Sequence, residues 1–215
     1  MQALAGRGSV VPVAVDLSGP DGPANLIARA GERIDLLVNN VGVARPRPGG
    51  FLSVTDELWR ETLELDLMAG VRAIRAALPV MIAGGGGIIV NIGSLNARLP
   101  DPLVIDYCAA KAAFGNLAKA LSKEFAARHV RVNTIDPGPV ATDLWLGDGG
   151  VAQVVGNSAG RPPEQIAAAA AAGMLTGRFS RPEEIADLVL FLASDRSANM
   201  TGSNVVVDGG MLTTL

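Results

Sequence analysis

The stretch IIVNIGSLNARLPDPLVIDYCAAK, residues 88–111, decides how the chain folds. Its first five residues, Ile88–Ile92, are a short apolar, β-branched run that reads as a buried strand. The strand leaves through Gly93-Ser94 into a loop, and from Asp106 a helical pattern runs to about Arg128. Gly84–Gly87, just upstream, stops another helix. A buried strand set between two helices is the repeating unit of a parallel sheet covered on both faces.

The same alternation continues outward. Downstream, Val130–Ile135 is a strand ending in Asp136-Pro137-Gly138, and Val205–Val207 is a last strand closed by Asp208-Gly209-Gly210. Upstream, Ile34–Asn39 is a strand ending in Asn39-Asn40, and Val10–Asp16 reads as another. Gly19–Pro23 breaks the chain before a short helix around Ala24–Ala30. A Pro/Gly-rich loop, Ala44–Gly50, precedes a long helix from about Asp56 to Ile82, with Ser53 or Thr55 as its cap. Pro139–Pro163 reads as a long loop or lid, and Ala167–Ala172 is good helix material. Ser180-Arg181-Pro182-Glu183 has capping-box spacing, and Ile185, Leu188, Val189 and Leu192 mark one apolar helix face. These signals predict an α/β fold, a Rossmann-like doubly wound parallel sheet in one domain over residues 1–215, with a substrate lid at about 139–180. No repeat or linker divides the chain.

Composition agrees with that class. The 215 residues are 49% hydrophobic with few aromatics, as suits a sheet buried on both sides. A net charge of −3 with scattered charges offers no stripe for nucleic acid and no basic face for a membrane. The one cysteine, Cys108, excludes an internal disulfide framework. With no signal peptide or spanning apolar run in the sequence, a cytoplasmic protein is expected.

Chemistry concentrates at the ends of the strands, where open parallel sheets bind their ligands. Asp16, Asn39-Asn40, Ser94 and Pro137-Gly138 all fall on that rim. Tyr107 and Lys111 are four apart, so both project from one helix face. A free phenol, with a pKa of about 10, is a poor base near neutrality. An ammonium about 4 Å away contributes on the order of 4 kcal/mol at an effective dielectric of 20. That lowers the phenol by at most about three pKa units, enough for general acid/base work near pH 7. A solvated helix pair is the plainer reading of Tyr-x-x-x-Lys alone, but Ser94, thirteen positions ahead at a strand tip, changes the balance.

A strand-end serine followed by that Tyr/Lys face resembles the short-chain dehydrogenase/reductase family. The resemblance implies a nicotinamide-dependent oxidoreductase that interconverts a small-molecule ketone and an alcohol with NAD or NADP. It implies that Ser94 polarises the carbonyl oxygen, Tyr107 moves the proton, and Lys111 tunes Tyr107 and holds the nicotinamide ribose. Asn39-Asn40-Val41-Gly42 resembles the family's Asn-Asn-Ala-Gly segment, which steadies the sheet and contacts the adenosine part, so Asn39, Val41 and Gly42 join the expected cofactor site. Asp16-Leu17 looks like the pair that touches adenine. Pro137, Gly138, Val140 and Thr142 look like the segment that meets the carboxamide. By the same resemblance the two long helices would pair subunits into a homodimer or homotetramer.

The chain departs from the family pattern in two places. No Gly-rich first turn is present to receive a pyrophosphate, and Met1–Gly8 looks like the tail of the family's second helix. The first two strands and first helix, roughly forty residues, are missing by this comparison. A two-strand gap of about 14 Å would then separate Val10–Asp16 from Ile34–Asn39. That loss predicts impaired cofactor binding and removes the position that tells NAD from NADP. The second departure is Asp66, where the family's Asn completes a catalytic tetrad. A carboxylate near Lys111 offsets the positive field on Tyr107, which predicts a raised phenol pKa. A register shift that turns Asp66 to solvent is the alternative.

Other residues carry plainer readings. His129 is expected at a helix end, Cys108 in packing, Trp59 in helix packing, and Trp145 either in the lid or against the substrate. Arg45 and Arg47 read as a solvated loop or as contacts to an anionic substrate. Two further functions compete with the oxidoreductase: a non-catalytic family remnant acting as an oligomerisation or interaction protein, and a hydrolase using Ser94, which lacks a His/Asp partner pattern.

Overall fold

The computed structural model describes residues 8–213, so the reading of Met1–Gly8 as a helix tail lies almost wholly outside the described residues. Four parallel strands form one sheet in the order β1 (Leu36–Asn39), β2 (Gly87–Ile92), β3 (Val130–Pro137) and β4 (Asn204–Val207). Leu36 lies opposite Ile88, Gly87 opposite Val130, and Thr134 opposite Asn204. Eight α-helices accompany them among the described residues: α1 (Gly22–Arg29), α2 (Asp56–Leu63), α3 (Ala69–Ala83), α4 (Ile105–Phe125), α5 (Asp143–Leu146), α6 (Val151–Ala159), α7 (Pro163–Ala172) and α8 (Pro182–Ala193).

Alternation along the strands decides what each face meets. Ile89, Val130 and Val132 point to one side and pack with Ile74, Leu78 and Met81 of α3 and with Phe114 and Ala118 of α4. Val90 and Ile135 point to the other, against Ile185 and Leu192 of α8. The apolar face read from the sequence as Ile185, Leu188, Val189 and Leu192 is the face that seals this second core. Its helix opens one residue later than the sequence pattern placed it. Glu184 reaches back to accept the Arg181 N–H at 2.7 Å, while the Arg181 carbonyl accepts the Glu184 N–H at 3.0 Å.

Val10–Asp16 forms no strand. A strand exists through its neighbour's hydrogen bonds, and the described sheet begins at β1, which pairs only with β2. The segment instead runs beside the start of α1, where Gly22 lies so close that a Cβ would meet the Asp16 carbonyl oxygen. Leu36 and Val38 on β1 are correspondingly exposed.

The long central helix also departs from the uniform pattern. Between α2 and α3, Glu64–Met68 is a π-helical turn, an insertion that often marks functional sites. It aims Asp66 inward, which excludes the solvent-facing alternative. Thr55 caps α2 by accepting the Leu58 N–H at 3.4 Å. The expected loop at Pro139–Pro163 holds two helices, α5 and α6, and α7 starts at Pro163, ahead of the alanine run. The two stems of this lid meet where Ala141 N–H donates to Ser180 O (2.9 Å) and Ser180 N–H to Pro139 O (3.0 Å). No helix among the described residues is long and apolar enough to cross a membrane.

Candidate active site

At the carboxyl ends of β1, β2 and β3 the chain opens a cleft of about 1110 Å³. Ser94, Tyr107, Lys111, Gly42, Pro137, Gly138, Val140 and Thr142 all line it. Ser94 follows β2 in an extended conformation and starts a short 3-10 turn, its Oγ accepting the Asn96 N–H at 3.1 Å. Gly93 leaves little room for a side chain, since a Cβ there would stand 2.1 Å from Asp136 Oδ1. Tyr107 and Lys111 lie one turn apart on α4, 8% and 3% exposed. Lys111 Nζ donates to the Ile92 carbonyl at 3.2 Å and sits 5.5 Å from the Tyr107 ring centre. The lysine thereby ties α4 to the tip of β2 and brings its charge beside the phenol.

Asp66 completes the cluster from the π turn. It is 3% exposed, its Oδ1 lies 4.0 Å from Lys111 Nζ, and the same oxygen accepts the Val43 N–H at 2.9 Å. Gly42 threads between acid and amine: a Cβ on it would meet Asp66 Oδ1 at 2.6 Å and Lys111 Nζ at 2.9 Å.

Burial dominates the electrostatics. It pushes Asp66 up to about 6, against the pull of Lys111 and the Val43 N–H. It draws Lys111 down, while Asp66 and Asp136 hold it up. It also pushes Tyr107 up to about 12; hydrogen bonding with Ser94 opposes the rise, and Asp66 adds to it. The sequence expectation that Lys111 brings the phenol toward neutrality is therefore corrected for this state. Desolvation is the largest cause of the rise, and the nearby Asp66 carboxylate works in the same direction. The raised phenol pKa expected from Asp66 agrees in direction with this setting, in which burial is the larger cause.

The other expected cofactor residues divide. Asn39 Nδ2 donates to Asn91 Oδ1 at 2.9 Å, bridging β1 and β2. Val41 is exposed beside Gly42, outside the cleft lining. Asp16 and Leu17 also lie outside it, and the Asp16 carboxylate accepts from Ser18 N–H and Oγ. His129 closes the 3-10 turn after α4 in a left-handed conformation, at the opposite end of the sheet. Cys108 is buried, within 3.5 Å of the Asp101 backbone. Trp145 lines the cleft and stacks edge-on to Phe179, centroids 5.2 Å apart.

Sequence reasoning missed a buried cluster behind Tyr107. Arg47 is neither solvated nor turned to the cleft. Its Nη2 lies 2.6 Å from Asp106 Oδ2, which also accepts Thr62 Oγ1 at 2.7 Å. The Arg47 N–H donates to Leu103 O, which pins the Pro-rich loop to the approach of α4. Periodicity gave no sign of this, since charged loop residues are ordinarily solvated. Arg45 does stay at the surface, 3.5 Å from Glu61.

Residues 1–212 match the family described as enoyl-(acyl carrier protein) reductase. D-threitol dehydrogenase of Mycolicibacterium smegmatis is 37% identical over 204 residues, covering 95% of this chain and 72% of that protein. The chain belongs to the short-chain dehydrogenase/reductase family. A short-chain dehydrogenase family protein from Francisella tularensis superposes with a TM-score of 0.84 at 27% identity, over 93% of this chain and 80% of that one. L-sorbose reductase from Gluconobacter frateurii, solved with NADPH and L-sorbose, superposes with a TM-score of 0.86 at 34% identity, over 94% and 77%. As a short-chain dehydrogenase/reductase, the chain is an oxidoreductase with an α/β, Rossmann-like parallel sheet.

Proposed function

We propose that this short-chain dehydrogenase/reductase interconverts a ketone and a secondary alcohol with NAD or NADP, using Tyr107, Ser94 and Lys111. The observation that carries the reading is the meeting of these three side chains in one cleft at the strand ends.

The residues present fit the nicotinamide-ribose half of such a cofactor. The cleft runs past Lys111 to Thr142; a side chain at Gly42 would collide with Asp66 and Lys111, and one at Gly138 would crowd Asp208. Lys111 and Tyr107 would hold the ribose hydroxyls, and Val140 and Thr142 the carboxamide. When bound, the cofactor supplies hydride to the carbonyl carbon or takes it from the alcohol carbon.

The protein's own part is proton transfer and orientation. Tyr107, with its pKa near 12, carries its proton at neutral pH and stands ready to give it to a carbonyl oxygen as hydride arrives. Ser94 donates to the same oxygen and stabilises the charge that develops there. In the reverse direction the alcohol's O–H proton passes to Tyr107 as hydride leaves its carbon. Assembly into a homodimer or homotetramer through α2–α3 and α4 belongs to the same proposal, with light scattering as its check.

Fluorescence titration with NADH and NADPH is the first test, and saturable binding is expected. Absence of binding at millimolar cofactor overturns the enzyme reading in favour of a non-catalytic interaction protein. Where binding is found, Tyr107→Phe should lower turnover by about 10²–10⁴-fold. Turnover unchanged in that variant removes Tyr107 from the chemistry.

A further inference from the structure

The substrate side of the cleft is walled by Leu99 and Leu103 from the loop before α4 and by Leu144, Trp145, Val155 and Ile166 from the lid. Leu99 and Leu144 are 44% and 37% exposed, so the cleft presents apolar surface for a guest to cover. Trp145, braced by Phe179, gives this wall one rigid aromatic panel.

Polar partners are scarce. Among the lining residues the ionisable side chains are Tyr107, Lys111 and Asp101. Lys111 is engaged by the Ile92 carbonyl and Asp66. Asp101 is exposed at the loop and accepts the Leu103 N–H at 2.9 Å. The Asn96 amide faces Cys108 Sγ at 3.6 Å. No arginine or histidine lines the cleft among the described residues, so nothing on this side neutralises a carboxylate or phosphate, and Asp101 repels one.

Building on the oxidoreductase reading, we propose that the substrate is an uncharged, apolar ketone or secondary alcohol, alkyl or alicyclic, with no hydroxyl beyond the reacting one. Ser94 and Tyr107 satisfy the reacting oxygen, while a further hydroxyl laid against Leu99, Leu103, Leu144, Val155 or Ile166 meets side chains that offer it no hydrogen bond. An unpaired hydroxyl there lowers affinity roughly 10- to 100-fold. Each methylene laid against the leucines raises it about fourfold.

The test follows Trp145 emission in the full chain carrying Trp59→Phe, which leaves one tryptophan, with and without NADP. Ligands are 2-butanone, 2-hexanone and 2-octanone, then two matched pairs: cyclohexanone with 4-oxocyclohexanecarboxylate, and 2-butanone with 1,3,4-trihydroxybutan-2-one. The expected result is saturation that tightens about fourfold per methylene, and at least tenfold weaker binding of the charged and hydroxylated partners. A flat alkyl series, no saturable response to 2-octanone, or preference for either polar partner overturns the inference. Leu144→Arg should then draw the carboxylated ketone in by at least tenfold relative to cyclohexanone, and no change in that ratio counts against it. Because the readout does not require cofactor, failure of the enzyme reading and failure of this inference remain distinguishable.

Discussion

Asp66 Oδ1 stands 4.0 Å from Lys111 Nζ, and both side chains are sealed from water. The pair lies behind Tyr107, and its negative member raises the phenol. Asp66→Asn keeps an oxygen to accept the Val43 N–H but removes the charge. Alcohol oxidation, which needs the phenolate, should then set in at lower pH, with about a tenfold higher rate on the rising limb. The pH–rate profiles of the two proteins check this, and superimposable profiles refute it.

The same carboxyl leaves a mark on stability. Its folded pKa is about 6 against an ordinary 3.8, so the folded chain binds this proton more tightly than the unfolded chain. The associated stability is fully present below pH 3.8 and is lost as pH rises through 6. By linkage it amounts to on the order of 3 kcal/mol. Urea melts at pH 4 and pH 7 should show the wild type losing that much more across the interval than Asp66→Asn. Parallel losses in the two proteins would show that Asp66 does not titrate there.

These effects rest on positions that the sequence made legible unequally. Ile88–Ile92, Ser94, Tyr107 and Lys111 were readable because strand and helix periods are local properties. Their shared cleft follows from a parallel sheet having all its carboxyl ends on one rim. The sign of the Tyr107 shift was readable from Asp66, but its main cause, burial, was not, since it depends on how much water reaches three groups brought together from α4, β2 and the π turn. Val10–Asp16 has the composition of a strand but no neighbour, and pairing is a tertiary fact. In the lid, α5 and α6 escaped because the glycines and prolines around them signal breaks, and α6 even carries Gly156 within it.

Arg47 and Asp106 form the best-sealed arginine–carboxylate pair among the described residues, with side chains 10% and 2% exposed. Burial works to raise Asp106, but the hydrogen bonds from Arg47 and Thr62 outweigh it and leave the carboxyl below its ordinary value. Arg47→Met strands that charge and should cost about 3–5 kcal/mol. The double variant Arg47→Met/Asp106→Leu removes both charges and should recover most of the loss. Equilibrium urea unfolding of the two proteins decides the matter. A double variant no more stable than the single one would mean that the cluster acts by packing rather than by charge.

Gly42 offers the sharpest separation of geometry from chemistry, because alanine adds no polar group. Its Cβ would sit 2.6 Å from Asp66 Oδ1 and 2.9 Å from Lys111 Nζ, closer than real contacts allow, so acid and amine must part. Overpacking of this kind costs about 1–3 kcal/mol. The displaced Lys111 should cut kcat/KM about 10- to 100-fold, since an ångström of misplacement has that effect on an oriented site. Gly19→Ala is the matched control, with nothing within 4 Å of the added carbon. Steady-state kinetics and thermal melts should find the control unchanged and Gly42→Ala impaired in both. Full activity in Gly42→Ala would mean that the loop yields freely, and that the spacing of Asp66 from Lys111 is not held by the backbone at residue 42.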